Sequence, residues 1–380
     1  MNNKIKIIGC YLLSGCLTQA QPNEGVAEPE RETITAATVV TDSSQKDAVE
    51  VAESAKTPLN LPETGEEVVR LQIFLDQKHF GPGFIDGKAG TFTRLAIENY
   101  NTSLGREVDH PGLLEECRRE VPQVYATAVV PEFVHDFVDS SLPWEKPLQA
   151  ERKAMSYRSV AEFMAERYHT SEDLLVELNG SAAVWGAKPK DAIQVPNVEP
   201  FMIENMARGR SHTKDEHLSA RHVVVDTKVR QVYIYELILP QVQEQNVETS
   251  LIDDQGPTVK LTHAKPRLVA SFPITPGQTH FIPRGFWNLK NCVELPTWRY
   301  DQLLLDTGVR GTEALTIPPG PNNPVGVIWN GLTKSGIGIH GTDLPRTIGR
   351  TTSAGCIRLA NWDAARFPTL VRPGAIVVVR

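Results

Sequence analysis

Two short motifs near the carboxyl end of the chain pair a thiol with an imidazole in a pattern that suits acyl transfer. GIHGT occupies residues 338–342, and SAGCIR occupies residues 353–358, so that Cys356 follows His340 by sixteen positions. A thiol attacks carbonyls as thiolate, and a neighbouring imidazole can take its proton and later return it. The glycine before the cysteine permits a tight turn that directs backbone N–H groups at a developing oxyanion. The pattern therefore predicts a cysteine nucleophile with His340 as its base.

These motifs resemble the signature of the L,D-transpeptidase catalytic domain (the YkuD family): HG, a gap, then [ST]-x-G-C, an apolar residue and Arg or Asn. The resemblance extends over residues 218–380. PGPNNPVG at residues 319–326 is similar to the family segment before the catalytic histidine, and ITPG at residues 274–277 is similar to another family stretch. The chain departs from the family at Ala354, where many members carry a second histidine.

The resemblance implies a mechanism. Cys356 would attack the carbonyl at the L-centre of diaminopimelate in a tetrapeptide stem of peptidoglycan and expel the terminal D-alanine. The carbonyl of Gly341 would orient the His340 imidazole, and the backbone N–H groups of Gly355 and Cys356 would stabilise the oxyanion. Arg358 would either bind a substrate carboxylate or hold the cysteine loop, and the resemblance leaves both roles open.

Ser353 is expected to form a hydrogen bond near the cleft, and the chemistry needs no cofactor. An amine of a second stem would resolve the thioester and give a 3-3 cross-link. The acceptor could instead be a lysine of a wall-attached protein, or water, which would make the enzyme an L,D-carboxypeptidase. The alternative from a different class is a catalytically idle peptidoglycan-binding lipoprotein.

Composition and charge exclude several other classes. The chain has 380 residues, enough for two or three domains, and its 39 Lys and Arg residues form no basic stripe within a net charge of −7. A nucleic-acid partner is therefore not expected. His212, His217 and His222 are five residues apart, which does not suit a helical metal-binding pair, and no metal is expected.

The first 15 residues are predicted to be a lipoprotein signal peptide. Lys4 and Lys6 precede an apolar run that ends in LSGC at residues 13–16, which resembles a bacterial lipobox. The resemblance implies lipidation of Cys16, a membrane anchor and a periplasm-facing position in the cell envelope, with Leu17 favouring the outer membrane. Ordinary signal cleavage after Ala20 is the alternative.

A tether and two small modules are predicted before the catalytic domain. Residues 16–57 lack aromatic side chains and are expected to be a disordered tether. Residues 58–105 resemble a helical peptidoglycan-binding domain, with the D-G-x-x-G-x-x-T-x-x-A pattern beginning at Asp86. Residues 106–150 are expected to be a connector, and Cys117 within it, like Cys292, is expected to be a free buried thiol.

Residues 151–199 are predicted to form a LysM-like module with the order strand, helix, helix, strand, closed by IQVP at residues 193–196. The resemblance implies binding of glycan strands. A degenerate module that only packs on the catalytic domain is the other interpretation, and the sequence leaves both open.

The predicted fold class is α+β multidomain, with a β-rich catalytic domain, a mixed β-sandwich, over residues 218–380. Alternation predicts a hairpin from residues 222–226 and 230–235. A second strand pair is expected from 327–330 and 337–340, and a buried closing strand at 373–379. A short helix is expected at about residues 362–370. Residues 240–266 and 283–318 exceed ordinary loop lengths and are expected to form lids or substrate walls.

Overall fold

The computed structural model describes residues 61–238, 265–277, 284–307, 309–352 and 355–380. The predicted signal peptide and tether, most of the segment 240–266, and both Ser353 and Ala354 lie outside these ranges. The described residues belong to one compact unit, residues 57–380. Within them, no helix is both long and apolar enough to cross a membrane.

Helices occur mainly in the amino-terminal half of the described chain. They are α1 (Glu66–Gln77), α2 (Thr91–Ser103), α3 (Leu113–Glu120), α4 (Lys146–Ala150), α5 (Val160–Arg167), α6 (Glu172–Asn179), α7 (Ser181–Trp185), α8 (Gln302–Thr307) and α9 (Asn361–Leu370).

Strands occur mainly in the carboxyl-terminal half. They are β1 (Tyr125–Val129), β2 (Ala192–Pro196), β3 (Ser211–His212), β4 (His222–Asp226), β5 (Gln231–Ile238), β6 (Lys265–Pro273), β7 (Gly285–Glu294), β8 (Trp298–Tyr300), β9 (Leu315–Ile317), β10 (Ile328–Leu332), β11 (Gly338–His340), β12 (Ile357–Arg358) and β13 (Ile376–Val379).

The first module is a helical unit held around a glycine-rich turn. The buried Gln72 of α1 accepts from the backbone N–H groups of Asp86 and Gly87 and donates to the Thr93 hydroxyl. Gly87 has a φ of +68°, which favours glycine. Asp86, Gly87 and Thr93, which belong to the pattern shared with peptidoglycan-binding domains, therefore stabilise the turn. Helix α3, from the predicted connector, shares the apolar core, which includes Leu71, Phe74, Ile97, Leu113 and Cys117.

The second module differs from the predicted order of elements. Strand β2 pairs in antiparallel register with β1, which comes from the predicted connector, and three helices rather than two lie in residues 151–199. The expected strand at the start of this segment is absent. Ser159 there is the N-cap of α5, since its side chain accepts from the Glu162 N–H at 3.0 Å.

A mixed sheet dominates the carboxyl-terminal half. Its described strands run in the order β12-β11-β10-β7-β13-β4-β5-β6, with β3 also paired to β7. The predicted hairpin (β4 and β5), the second strand pair (β10 and β11), the closing strand β13 and the helix α9 are all confirmed. The β-rich, mixed character expected from the sequence is therefore confirmed.

Strand β7 shows that residues 283–318 are not one long loop, whereas their expected role as a substrate wall stays a prediction. Its first four residues pair with β13, and the rest pair with β10, so it joins the two halves of the sheet. One face of the strand is open, and Phe286 is 78% exposed. The consecutive exposed residues Lys290 and Asn291, where the pairing with β10 is irregular, interrupt the alternation, which explains the weak signal in the sequence.

A buried charge cluster joins the two amino-terminal modules to the sheet domain. Arg366 of α9 donates to both carboxylate oxygens of Asp76 in α1, at 2.9 and 2.6 Å, and His169 Nδ1 lies 3.0 Å from Asp76 Oδ2. Burial raises the pKa of Asp76, but the Arg366 charge and the hydrogen bonds more than offset it and hold that pKa well below its usual range. Burial lowers the pKa of His169, so a neutral imidazole donates here.

We expect Asp76→Asn to lower the free energy of unfolding by about 3 kcal/mol, because the substitution leaves the Arg366 charge without its partner. The native Asp76 pKa is depressed, so the stabilisation is present above about pH 4 and is lost as the pH falls below it. Urea unfolding of both proteins, above and below about pH 4, measures the loss of stability and its pH dependence. The control is Glu120→Gln, which removes a half-exposed pair with Lys78 and should cost less than about 1 kcal/mol. Equal losses in the two variants would contradict the role assigned to the cluster.

Candidate active site

The imidazole of His340 is buried at the end of β11 and is held in one orientation. Its Nδ1 lies 2.6 Å from the backbone oxygen of Gly341, and its ring stacks on Trp329 with a centroid separation of 5.5 Å. A carbonyl oxygen can only accept, so Nδ1 carries the proton and Nε2 keeps a lone pair. Burial lowers the pKa of His340 to about 3, and the charge of Arg358 also lowers it. The imidazole is therefore neutral at pH 7.

The register of the sheet places Cys356 beside this histidine. Strands β11 and β12 are parallel, with His340 opposite Arg358, and Cys356 directly precedes β12. Side chains at paired and alternate positions share a face, so Cys356 faces the same side as His340. The Cys356 Sγ lies 3.6 Å from the backbone oxygen of Gly336. The structure thus brings the two predicted catalytic side chains together across adjacent strands.

The thiol of Cys356 is not ionised at rest. Part of the residue is exposed, but burial around the sulfur raises its pKa above the ordinary 9.0; a backbone hydrogen bond and the Arg358 charge offset this only in part. A neutral thiol beside a neutral imidazole is the resting state of this site. The arrangement suits general-base activation during the reaction rather than a standing thiolate–imidazolium pair.

Arg358 holds strand β12, which follows Cys356, through its backbone. Its N–H and carbonyl exchange hydrogen bonds of 2.9 and 3.0 Å with Thr275, which lies in the ITPG stretch identified from the sequence. Its Nε is buried without a hydrogen-bond partner in the described chain. Gly355 is described directly before the nucleophile, whereas Ser353 lies outside the described residues.

The amino-terminal modules hold the loop that connects His340 to Cys356. Arg346 in this loop pairs with Glu172 and Asp173 of α6 at 2.6 and 2.8 Å. Gly349 has a φ of +72°, and a Cβ there would lie 1.9 Å from the Phe92 ring of α2. The loop therefore packs against both modules, and only glycine fits at its closest approach.

A cleft of about 460 Å³ adjoins the pair. Trp329, which stacks on His340, and Gly336, which accepts from Cys356, both line it. The cleft also contains Trp298 and several cationic side chains, Arg208, Arg299 and Arg310. The sequence analysis did not single out these arginines, since surface arginines carry no local pattern. Trp329 could have been found from the predicted strand pair, where it lies directly opposite His340.

The other described cysteines do not resemble nucleophiles. Cys117 and Cys292 are free, buried thiols, as expected, and burial raises the pKa of each to about 12. In the parts of the chain that the structure describes, no three His, Cys, Asp or Glu side chains are grouped so as to hold a metal ion.

Comparison with known proteins finds a match to a catalytic-domain family in this part of the chain. Residues 251–379 match the family model of the L,D-transpeptidase catalytic domain, YkuD, which confirms the resemblance for these residues. The putative L,D-transpeptidases YkuD of Bacillus licheniformis and Bacillus subtilis are each 41% identical to the chain, over 61 and 59 residues. Each match covers 16% of this chain, and the chain spans only 37% and 36% of those relatives.

Solved structures with detectable similarity include two from mycobacteria. L,D-transpeptidase 3 from Mycobacterium tuberculosis is 14% identical with a TM-score of 0.28, over 50% of this chain and 75% of that one. An L,D-transpeptidase from Mycobacterium smegmatis is 14% identical with a TM-score of 0.27, over 51% of this chain and 75% of that one.

We expect iodoacetamide to modify Cys356 but not Cys117 or Cys292. Its rate at Cys356 should rise about tenfold per pH unit from about pH 7 to about pH 9, because only the thiolate reacts and the thiol pKa is raised. Peptide mapping by mass spectrometry measures the rate at each cysteine. A rate that is constant from about pH 5 to about pH 7 would instead reveal a standing thiolate–imidazolium pair.

Proposed function

We propose that this protein, whose residues 251–379 match an L,D-transpeptidase catalytic domain, is a cysteine-dependent L,D-transpeptidase that acts on the stem peptides of peptidoglycan. One observation carries the proposal: a buried, neutral His340 commits Nδ1 to the Gly341 carbonyl, on the strand beside the one that Cys356 precedes. A nucleophile with a base oriented by a third group is the arrangement that acyl transfer requires.

The first half of the reaction forms a thioester. His340 Nε2 takes the thiol proton of Cys356 as the sulfur bonds to the donor carbonyl carbon. Backbone N–H groups at Gly355 and Cys356 would stabilise the oxyanion, a contribution of about 3 kcal/mol for one donor in other acyl-transfer enzymes. The imidazolium then protonates the departing amine of D-alanine, and the C–N bond breaks.

The second half transfers the acyl group. An acceptor amine attacks the thioester, His340 takes its proton, and the thiol of Cys356 is regenerated. If the amine comes from a second stem, the product is a 3-3 cross-link; if it belongs to a wall protein, the product is an anchor.

The charge of the adjoining cleft supports an acidic substrate. Arg208, Arg299 and Arg310 line the cleft next to Trp329 and Gly336. Guanidinium groups bind carboxylates in bidentate geometry, and a stem peptide carries several carboxylates. We assign this cleft to the donor stem, with Arg358 lying on the nucleophile's own strand.

Turnover should depend on Cys356 and His340. Incubation of the protein with a disaccharide-tetrapeptide should give a dimer that has lost one D-alanine, identified by mass. Cys356→Ser should abolish turnover, because one imidazole cannot offset the much higher pKa of a hydroxyl. His340→Ala should leave slow acylation by a carbapenem that improves as the pH rises toward the pKa of the unassisted thiol.

The matched control is Cys117→Ser, the same exchange at a buried thiol remote from the site, which should keep turnover. Loss of D-alanine without a dimer would identify an L,D-carboxypeptidase. No change of mass would favour the idle binding protein. A carbapenem adduct that persists in Cys356→Ser would overturn the assignment of the nucleophile.

We also propose that Cys16 carries a lipid that anchors the protein in the cell envelope, facing the periplasm. Cys16→Ala should then move the protein from the membrane fraction to the soluble fraction. Cys10→Ala is the control, since residue 10 leaves with the signal peptide and fractionation should not change. Membrane association that survives Cys16→Ala, with no lipid mass on the mature amino terminus, would contradict the anchor.

A further inference from the structure

A buried chain of hydrogen bonds reaches from helix α5 to the active site. The hydroxyl of Tyr157 donates to Glu166 Oε1 at 2.7 Å, and Asn361 Nδ2 donates to both Glu166 oxygens at 3.1 Å. All three residues are buried, and Asn361 is fully inaccessible. Glu166 lies outside the residues that match the catalytic domain, so the chain of contacts crosses from one module into another.

The other end of the Asn361 amide binds the two loops around the histidine. Its Oδ1 accepts from the backbone N–H groups of Val327 and Thr342, at 3.2 Å each. Reversing the amide would turn its NH₂ group toward these two donors. Glu166 and the Pro321 carbonyl, both acceptors for Nδ2 at 3.1 Å, therefore set which way the amide faces.

The contact with Thr342 controls the carbonyl that holds the histidine. The Gly341 carbonyl and the Thr342 N–H belong to one planar peptide unit, so their directions are fixed relative to each other. The N–H points to Asn361 Oδ1, and the carbonyl oxygen receives His340 Nδ1 at 2.6 Å. Displacement of the Asn361 amide would therefore rotate the acceptor of the imidazole.

The packing leaves this peptide little room for another position. A Cβ added at Gly341 or at Gly326 would lie 2.2 Å from Asn361 Oδ1 in either case. Gly326 also has a φ of +60°, which an L side chain rarely adopts. The backbones of both loops therefore lie directly against the Asn361 amide oxygen.

We propose that Asn361, oriented by Glu166, is a positioning residue that keeps His340 in the Nδ1–H tautomer and leaves Nε2 as the proton acceptor. It acts through the Gly341–Thr342 peptide and does not touch the reacting atoms. The inference rests on the proposed role of His340 as base. Because Glu166 lies in α5, the proposal also makes this helix part of the support of the active site.

The direct test reads the tautomer by NMR. In protein with ¹⁵N-labelled histidine, long-range ¹H–¹⁵N spectra distinguish protonated Nδ1 from protonated Nε2, and His340→Ala identifies the His340 signals. The wild type should show the Nδ1–H form alone. Asn361→Leu should show a mixture of tautomers, and carbapenem acylation of Cys356 should slow on the order of 100-fold through misplacement of the base.

Asn101→Leu is the matched control. Asn101 is as fully buried as Asn361, but its amide bonds to Val108 within the helical module. This variant should keep the single tautomer and the acylation rate, even where it lowers the melting temperature. A folded Asn361→Leu protein that keeps both properties would overturn the proposal.

Two exchanges at Glu166 carry the test if Asn361→Leu does not fold. Burial raises the pKa of Glu166 to about 8, so Gln resembles the carboxyl present near pH 7 and keeps an acceptor for Asn361. Glu166→Gln should retain the tautomer, whereas Glu166→Leu should lose it. The same tautomer populations in both variants would overturn the role of Glu166. A wild type with the expected tautomer but no acylation would sink the proposed function and leave the positioning role standing.

Discussion

The hydrogen bond between His340 and the Gly341 carbonyl is the interaction on which the site depends. It fixes the tautomer, and burial of the same ring keeps the imidazole neutral, with a pKa lowered to about 3. The thiol of Cys356 is also neutral at rest, because burial raises its pKa. Both side chains are therefore neutral in the resting structure.

The surrounding structure holds this one contact from several directions. Asn361 and Glu166 fix the peptide that carries the carbonyl, and Thr275 pairs with the backbone of Arg358 on the nucleophile strand. Arg346 connects the loop between base and nucleophile to α6. Because these contacts come from residues far apart in the chain, the geometry of the site is a property of the assembled modules.

The modules are joined by polar contacts that are individually expensive to break. The carboxylate of Asp76, fully buried, receives both Arg366 and His169, so that one residue from each of three segments meets at a single point. Replacing such a cluster by apolar side chains can be neutral for stability, whereas removing one partner leaves a buried charge. The cluster therefore favours one relative placement of the segments. The segment 151–199 packs on the catalytic domain, and this contact is compatible with either interpretation of its ligand binding.

The sequence by itself determined the candidate residues and the local elements. The motifs around His340 and Cys356 point to the pair proposed to react. The alternation in β4 and β5 and the apolar run in β13 predict strands because each is a local pattern. Strand β7 was not predicted because two consecutive exposed polar residues, Lys290 and Asn291, break its alternation. The partner of β2 lies in a segment with no distinct signature. Only the tertiary structure decided that Asn361 faces Glu166, 195 residues away, and that Asp76 meets Arg366 across 290 residues. The pairing of side chains so far apart in the chain depends on how whole modules pack. It therefore cannot be predicted from a local sequence pattern.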